Sequence, residues 1–205
     1  MIIGIININI GNIFSLYSTI SKIIERNDKC IIIKKKKNIK KCDKLIFPGQ
    51  GNIKTIKTNL KNIEFLIEIK KAIINKQFLG ICLGSQLSFC FNKEGNFNGL
   101  CYIKNKIKKF NCKYKKEFKV PFIGWNSIQL TKKKNSLTKN IKNKSLYYFS
   151  HSYYSPINKH TIAYSYNYIK FGCIYSYKNL NLTQFHPEKS GKCGNKLIEN
   201  FIKKQ

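Results

Sequence analysis

The first half of the chain alternates short apolar runs with segments of helical apolar spacing. The runs are typical of buried strands, which we predict at Ile2–Ile6, Cys30–Ile33, Lys44–Phe47 and Phe78–Ile81. Between them, apolar residues recur every three or four positions, which predicts helices at Ile13–Glu25, Ile63–Ile74 and Gln86–Phe91. This alternation of strand and helix indicates a parallel sheet that is covered on both faces.

The second half changes character, because polar turns separate its apolar stretches. We predict strands at Ile103–Phe110, Trp125–Leu130, Leu146–Phe149, Thr161–Tyr166 and Phe171–Tyr177, followed by a helix at Gly194–Lys203. They suggest an antiparallel extension or a mixed sheet. The lysine run 34–37 and the Lys/Asn segments near 105–119 and 131–144 are predicted to be solvated loops rather than binding patches or interdomain linkers. With 205 residues, 42% of them hydrophobic, one α/β domain spanning residues 1–205 is expected.

The composition is strongly basic, since 39 Lys and Arg residues against nine Asp and Glu give a formal net charge of +30. Such a charge favours a polyanionic partner such as nucleic acid or an anionic membrane. However, Arg26 is the only arginine, and arginine supplies the bidentate contacts that read bases and phosphates. The lysines are spread along the chain among many Ile and Asn residues, as A/T-rich codon usage would produce. We therefore expect no specific nucleic-acid partner, only salt-sensitive binding to polyanions.

Cysteine spacing argues against a metal site. None of the eight cysteines forms a C-x-x-C pair, and only three histidines accompany them, so neither a metal nor a cofactor is predicted. The chain shows no signal peptide and no run of apolar residues long enough to span a membrane. These observations predict a cytoplasmic protein with free thiols, most of them small hydrophobic residues of the core.

The segment Gly80-Ile81-Cys82-Leu83-Gly84 stands between a predicted strand and a predicted helix. This is the setting of a nucleophile elbow, a sharp turn that lifts a nucleophile above the sheet. Small neighbours are needed because the nucleophile has a strained backbone. The following helix would favour a Cys82 thiolate through its free N–H groups and positive dipole end. The pentapeptide alone leaves open that Cys82 is a buried structural cysteine in a tight turn.

The segment Gln184-Phe185-His186-Pro187-Glu188 places an imidazole and a carboxylate two residues apart. A nucleophilic cysteine needs a base, and the base needs an acceptor that orients it. Across Pro187, both side chains can lie on one side of an extended turn, with Glu188 on one ring nitrogen of His186 and Cys82 facing the other. For either residue alone, a loop histidine beside a surface glutamate is the alternative.

The other two histidines have simpler explanations. His160 is surrounded by Lys and Asn and is predicted on a surface loop. The Tyr-rich surroundings of His151 indicate a strand end near the active site. We assign His151 a structural or substrate-shaping role, because the turn at His186 already supplies a base.

The turn Pro48-Gly49-Gln50-Gly51 follows a strand that should lie beside the strand ending at Cys82. Its backbone N–H groups, together with that of Leu83, can bind an oxyanion, and each donor of such a hole is worth roughly 3–4 kcal/mol. An ordinary strand-ending turn is the alternative interpretation of this segment alone.

In this order, the three segments resemble class I (triad-type) glutamine amidotransferases, whose G-x-C-x-G-x-Q signature matches Gly80 to Gln86 and whose F-H-P-E turn matches 185–188. Further segments are similar to the glutaminase subunit of imidazole glycerol phosphate synthase. They are Gly11-Asn12 with Ser15, Val120-Pro121 with Gly124-Trp125-Asn126, Tyr148 to Tyr154, and Gln184 to Ser190. The resemblance covers nearly the whole chain.

This resemblance implies an α/β, flavodoxin-like fold with a mixed, mainly parallel sheet and helices on both faces. It implies that Cys82, His186 and Glu188 hydrolyse L-glutamine to glutamate and ammonia through a γ-glutamyl thioester. The ammonia would pass to a separate (β/α)8-barrel cyclase subunit, forming a heterodimer. There it would convert the nucleotide PRFAR to imidazole glycerol phosphate and AICAR in histidine biosynthesis.

The same likeness implies further residue roles. Oxyanion or substrate binding is implied for Gly49, Gln50, Gly51, Leu83, Gln86 and the backbone of Ser152 and Tyr153. Contact with the cyclase is implied for Asn12, Trp125 and Lys189, with Tyr148 near the hinge that controls the oxyanion turn. The chain departs from the family pattern at Phe122, Lys104-Asn105 and Asn7, where a histidine, a Pro-Gly turn and an acid are common.

Three alternatives remain. The chain could be the glutaminase of another synthase (anthranilate, aminodeoxychorismate or guanylate), against which the G-W-N and H-S-Y-Y segments argue. It could be a basic nucleic-acid-binding protein, which should cluster Arg and aromatic residues on one face. It could be a degenerate allosteric subunit, which the intact Cys82, His186 and Glu188 disfavour.

Overall fold

A computed structural model gives the structure of the protein for residues 1–9, 11–51, 53, 63–111 and 119–203, without the side chains of residues 63 and 64. Its strands are β1 (Ile2–Ile6), β2 (Lys29–Ile33), β3 (Lys44–Gly49), β4 (Gln77–Cys82), β5 (Phe89–Asn92), β6 (Phe97–Asn98), β7 (Ile103–Lys109), β8 (Phe122–Leu130), β9 (Leu146–His151), β10 (Tyr153–Tyr154), β11 (Thr161–Asn167), β12 (Ile169–Tyr177) and β13 (Leu180–Thr183). The helices are α1 (Ile13–Ser21), α2 (Ile63–Asn75), α3 (Leu83–Gln86) and α4 (Gly191–Lys203). Short 3₁₀ turns occur at Lys36–Asn38, Ser136–Thr138 and Pro187–Lys189.

A nine-stranded mixed sheet forms the centre of the molecule, in the order β2-β1-β3-β4-β13-β12-β11-β8-β9. The pairs from β2 to β13 are parallel. The pairs from β13 to β9 are antiparallel and extend the sheet on one side. A second sheet, in the order β10-β7-β5-β6, has four strands. The predicted α/β class with a mixed sheet is confirmed.

Two apolar clusters cover the two faces of the large sheet. One contains Leu16 and Ile20 of α1 with Leu197 and Phe201 of α4. The other contains Ile69 of α2 and apolar residues of β5 and β7. Burying a leucine, isoleucine or phenylalanine side chain contributes about 1.5–3 kcal/mol. Helices on both faces are therefore held by apolar burial, as the alternating pattern predicted.

The helix predicted at Gln86–Phe91 is wrong. The chain forms the single turn α3 and then enters β5, where Phe89 pairs with Ile103 of β7. The Phe89 ring also packs edge-on against Tyr175, with 5.2 Å between ring centroids. Pairing with a distant strand thus overrides the local apolar spacing.

Other boundaries also differ from the predictions. α1 ends at Ser21 rather than Glu25. The prediction extended too far because Ile23 and Ile24 continue the apolar spacing, although they lie in a turn and pack on the core from there. Residues 105–109 belong to β7 rather than to a loop, and residues 112–118 of that predicted loop lie outside the described residues. The strand β13 was not predicted, since asparagines interrupt its apolar run. The lysines at 34–37 are exposed, as predicted.

The prediction that the cysteines are free thiols fails for one pair. The sulfur atoms of Cys90 and Cys101 are bonded in a disulfide. Cys90 lies in β5 and Cys101 just precedes β7, so the pairing of these two strands brings them together. The other described cysteines are free thiols. In the described ranges, no helix has the length and apolar character needed to cross a membrane.

Candidate active site

Cys82 occupies a sharp turn between β4 and α3. Its backbone angles are φ 52° and ψ −112°, a region that residues other than glycine rarely adopt. A Cβ atom on Gly84 would lie 1.9 Å from the carbonyl oxygen of Phe47, and one on Gly80 would lie 2.9 Å from that of Gly84. The two glycines therefore allow the close packing of a nucleophile elbow. The helix that follows is a single turn, so its N–H groups rather than a long helix dipole would favour a thiolate.

His186 and Glu188 form a buried pair. The Nδ1–H group of His186 donates to Oε1 of Glu188 at 2.8 Å, and each side chain is 2% exposed. Nε2 of His186 forms no hydrogen bond of regular geometry with the described residues, which leaves it open to the Cys82 sulfur. The arrangement matches a nucleophile, a base and a group that orients the base.

The electrostatic surroundings of His186 favour its charged form. Burial lowers the pKa of the imidazole. The interactions of the ring with the nearby Cys82 sulfur and with Glu188 outweigh burial and raise the pKa of His186 to about 10. The imidazolium form of His186 is therefore favoured beside Cys82. A neighbouring imidazolium is one of the surroundings that make a cysteine nucleophilic.

The backbone of β9 holds the turn that contains His186. The N–H of His186 donates to the carbonyl of Tyr148 at 2.9 Å. The N–H of Tyr148 donates to Oγ of Ser190 at 3.0 Å, and this hydroxyl donates to the carbonyl of His186 at 2.6 Å. A shift of β9 at Tyr148 would therefore move the turn that contains His186.

The glycine-rich turn lies beside the nucleophile. Gly49 is the last residue of β3 and pairs with Cys82 of β4. Gln50 and Gly51 follow at the surface, and Gly51 has φ 102°, which glycine adopts without strain. Leu83 is the residue after Cys82 and the first residue of α3. The structure thus brings Gly49 and Leu83 to the nucleophile, with Gln50 and Gly51 next to them.

Gln86, one of the predicted glutamine-binding residues, lies in a network of buried amide hydrogen bonds. Oε1 of Gln86 accepts from Asn92 at 2.9 Å. Nε2 of Gln86 lies 3.3 Å from Oε1 of Gln184 and 3.4 Å from the carbonyl of Tyr153. Nε2 of Gln184 in turn lies 3.9 Å from the Cys82 sulfur. Gln86 and the Ser152–Tyr153 backbone therefore lie close to the nucleophile.

Sequence reasoning missed Asn92, Gln184 and Glu94 as parts of this site. Glu94 is half-buried, and burial raises its pKa while a hydrogen bond from the N–H of Ile53 opposes that rise. Its own N–H donates to Asn92 Oδ1 at 2.8 Å. The scarcity of acids was the available signal, since only nine occur in the chain. Asn92 gave no signal, because the chain is rich in amide side chains. Gln184 was named as the first residue of the segment that contains His186 but was given no role.

Three of the four predicted interface residues meet at the surface beside the oxyanion turn. Nζ of Lys189 lies 3.5 Å from Oε1 of Gln50 and 5.8 Å from the centroid of the Tyr148 ring. The Tyr148 ring contacts Trp125, which is 55% exposed. The Asn12 side chain caps α1 by accepting from the N–H of Ser15 at 3.2 Å, and a Cβ on the preceding Gly11 would lie 3.6 Å from the backbone of Gly49.

The described residues offer no group of three or more His, Cys, Asp or Glu side chains that could hold a metal ion. His151 and His160, the other two histidines, have separate surroundings. His160 lies in a turn against the Tyr177 ring. His151 is buried near the site, as predicted for a strand end.

Comparisons with known proteins show the family to which this chain belongs. The family model described as class-I glutamine amidotransferase matches residues 13–205. The imidazole glycerol phosphate synthase subunit HisH of Prochlorococcus marinus is 40% identical over 205 residues, covering 98% of this chain and 97% of the relative. HisH of Methanocaldococcus jannaschii is 40% identical over 202 residues, covering 98% of each chain.

Solved structures of lower identity share the fold. The glutaminase domain of CTPS from Trypanosoma brucei has a TM-score of 0.64 at 13% identity, covering 100% of this chain and 95% of that chain. PurLQS from Thermotoga maritima has a TM-score of 0.72 at 13% identity, with 98% and 97% coverage. At these identities the likeness concerns the fold alone. By the family match and the end-to-end similarity to the HisH relatives, the chain belongs to the class-I glutamine amidotransferases and, within them, to the imidazole glycerol phosphate synthase subunits HisH.

Proposed function

We propose that the chain is the glutaminase subunit of imidazole glycerol phosphate synthase, formed by a single amidotransferase domain over residues 1–205. The observation that carries the proposal is the buried pair of His186 and Glu188, joined at 2.8 Å, beside the strained turn of Cys82. The chain hydrolyses L-glutamine and delivers ammonia to a (β/α)8-barrel cyclase subunit. That subunit uses the ammonia to convert PRFAR to imidazole glycerol phosphate and AICAR.

The first half-reaction forms a thioester. The Cys82 thiolate, whose proton His186 has taken, attacks the side-chain carbonyl carbon of glutamine and forms a C–S bond. The carbonyl oxygen becomes an oxyanion, which the backbone N–H of Leu83 and those of the turn at Gly49 to Gly51 stabilise. The C–N bond then breaks, and His186 protonates the departing nitrogen. Ammonia leaves and a γ-glutamyl thioester remains.

The second half-reaction regenerates the enzyme. His186, neutral after donating its proton, takes a proton from water as the oxygen attacks the thioester carbon. A C–O bond forms, the C–S bond breaks, and glutamate leaves while Cys82 returns to the thiolate. Glu188 holds Nδ1–H of His186 throughout, which fixes the tautomer and stabilises the imidazolium.

Glutamine is held by groups that surround the nucleophile. The backbone of Ser152 and Tyr153 faces the amide of Gln86, which lies 3.4 Å from the Tyr153 carbonyl. Gly51 completes the pocket on the side of the oxyanion turn. Glu94, half-buried and linked to Gln86 through Asn92, supplies a negative charge for the α-ammonium group of the substrate.

The partner docks on an exposed face of the β8–β9 pair. Ile123 and Trp125 of β8 and Leu146 and Tyr148 of β9 point to the same side, and we call these four residues the apolar strip. Its members Ile123, Trp125 and Leu146 are exposed, and a contiguous exposed apolar patch marks an interaction surface. Phe14 of α1 is 81% exposed, and α1 packs beside the 3₁₀ turn at Pro187–Lys189. Docking here would reach Tyr148, Lys189 and Gln50 together.

The test is glutamine hydrolysis by the chain alone, with the cyclase subunit, and with the cyclase subunit plus its nucleotide ligand. We expect strong stimulation that requires both the cyclase and the nucleotide, because the apolar strip connects to the oxyanion turn through Lys189. A chain stimulated only by the synthase subunit for anthranilate, aminodeoxychorismate or guanylate would contradict the assignment. The cytoplasmic location and the absence of a specific nucleic-acid partner stay predictions.

A further inference from the structure

His151, the last residue of β9, is a buried imidazole inside a box of phenylalanine rings. It is 6% exposed. The centroids of its four aromatic neighbours lie 5.3–5.8 Å from its own, and these neighbours are Phe110, Phe122, Phe149 and Phe171. The mechanism above gives His151 no step, although it lies one residue from Ser150, whose carbonyl is 3.9 Å from the Cys82 sulfur.

Packing does not explain why this position holds a histidine. Nδ1 of His151 lies 2.8 Å from the carbonyl oxygen of Tyr153. A carbonyl only accepts, so Nδ1 carries the proton. Nε2 is buried and has no hydrogen-bond partner in the described part of the chain. A phenylalanine would fill the box without leaving a buried nitrogen unpaired, so the imidazole is present for its Nδ1–H group.

The ring is neutral at physiological pH. Burial lowers the pKa of His151 to about 4, the hydrogen bond to the Tyr153 carbonyl opposes this shift, and the positive charge of His186 adds to it. A neutral ring with its proton on Nδ1 donates one hydrogen bond in a fixed direction.

The group that His151 holds belongs to the predicted glutamine-binding backbone. The Ser152 carbonyl accepts from the N–H of Phe110 at 3.1 Å. The Tyr153 carbonyl accepts from His151 and lies 3.4 Å from Nε2 of Gln86. In a trans peptide the C=O and N–H groups point in opposite directions, so fixing the Ser152 carbonyl also fixes the Tyr153 N–H. The two carbonyls on either side of Tyr153 are thus both tethered.

We propose that His151 is a positioning residue for glutamine: its Nδ1–H holds the carbonyl of the peptide that follows Tyr153, Phe110 holds that of the peptide before it, and the Tyr153 N–H is thereby kept in place for the substrate. The inference rests on the proposed glutaminase function and extends it to a residue outside the triad. Because the contact acts on binding rather than on bond breaking, its loss changes KM more than kcat.

The test compares His151→Phe with His151→Asn in the complex with the cyclase subunit. The Phe variant keeps the packing and loses the donor, whereas the amide nitrogen of Asn can occupy the place of Nδ1. We expect the KM for glutamine to rise about tenfold in His151→Phe with kcat changed less than about threefold, and to stay within about threefold of the wild-type value in His151→Asn. Ammonia-dependent synthesis stays at the wild-type rate in both variants.

Stability provides the second readout. His151→Phe removes the unpaired Nε2, so this variant should unfold at a temperature no lower than that of the wild type. If the role of His151 were purely structural, the substitution would lower the unfolding temperature. If the phenylalanine ring is too large for the box, His151→Leu serves as a second variant that lacks the hydrogen-bond donor. An unchanged KM in the folded Phe and Leu variants, or equal rises in Phe and Asn, would overturn the proposal. If the wild-type complex does not hydrolyse glutamine, the proposed function fails and this inference falls with it.

Discussion

The two buried histidines of the site are driven to opposite protonation states by their surroundings. Burial acts on both and disfavours the imidazolium. At His186 the Cys82 sulfur and Glu188 overcome it and raise the pKa to about 10, while at His151 the phenylalanine box and the charge of His186 lower the pKa to about 4. Groups whose pKa values are pushed apart serve different purposes. The first is suited to proton transfer and the second to a fixed neutral hydrogen bond.

The depressed pKa of His151 predicts a pH dependence of folding. The unfolded histidine titrates at about 6.5. Between that value and about 4 the unfolded chain binds a proton that the folded chain does not, so folded-state stability is lost as the pH falls through this window. The free energy of unfolding of the wild type should therefore fall relative to that of His151→Phe, by up to about 3 kcal/mol, between pH 6.5 and 4. Denaturant titrations of both proteins across this range measure the difference, and parallel pH curves would contradict the assignment.

Short sequence motifs point to Cys82, His186 and Glu188 as the proposed triad, whereas the contacts of the residues around them do not show in the sequence. Cys82, His186 and Glu188 stand in short motifs whose spacing carries the chemistry. His151, Gln184 and Glu94 contribute through contacts between segments that are far apart in the chain, such as the 2.8 Å contact from His151 to the Tyr153 carbonyl inside a box built from four strands or their ends. The Tyr-rich surroundings of His151 predicted its place near the site, but no local pattern shows which groups these side chains contact.

At the scale of elements, the strand–turn–helix at Cys82 depends on close packing between neighbouring strands. A Cβ on Gly84 would overlap the Phe47 carbonyl of β3. Gly84→Ala should therefore lower the free energy of unfolding by about 3 kcal/mol and lower glutaminase activity, because β3 or the elbow must shift. The matched control is Gly191→Ala, at a glycine with φ 55° and open space around it, which should cost about 1 kcal/mol from backbone strain alone. Equal losses in chemical denaturation would refute the packing argument.

The elements themselves were predicted where apolar periodicity is strong and lost where tertiary pairing overrides it. β1 and β4 lie in the sheet as apolar runs predict. β13 was missed because Asn181 is buried in a strand, where its Oδ1 accepts from Ser176. β5 was predicted as a helix because strand pairing with β7 leaves no local signal.

At the scale of the whole molecule, the apolar strip and the net charge predict different kinds of partner, a protein subunit and a polyanion. The charge of +30 comes from lysines distributed along the chain, whereas the apolar strip is a single face next to the oxyanion turn. Trp125→Ala should raise the Kd for the cyclase about 10- to 100-fold, because exposed aromatic residues at the centre of a patch dominate binding. Ile74→Ala, an exposed apolar residue at the end of α2 and outside the strip, is the control and should leave the Kd unchanged. Titration calorimetry of both variants with the cyclase subunit measures the two Kd values. Similar Kd values for Trp125→Ala and Ile74→Ala would place the interface elsewhere.

The central claim is that Cys82 releases ammonia from glutamine for use by a partner. The most direct measurement compares the Cys82→Ala complex with the wild type, using glutamine or ammonium salts as the nitrogen source for imidazole glycerol phosphate synthesis. We predict that synthesis from glutamine falls by at least about 10³-fold, as expected when the nucleophile is removed, while synthesis from ammonia stays within about twofold of the wild-type rate because the cyclase is untouched. Synthesis from glutamine that persists in Cys82→Ala, or loss of both activities in a folded complex, would contradict the account.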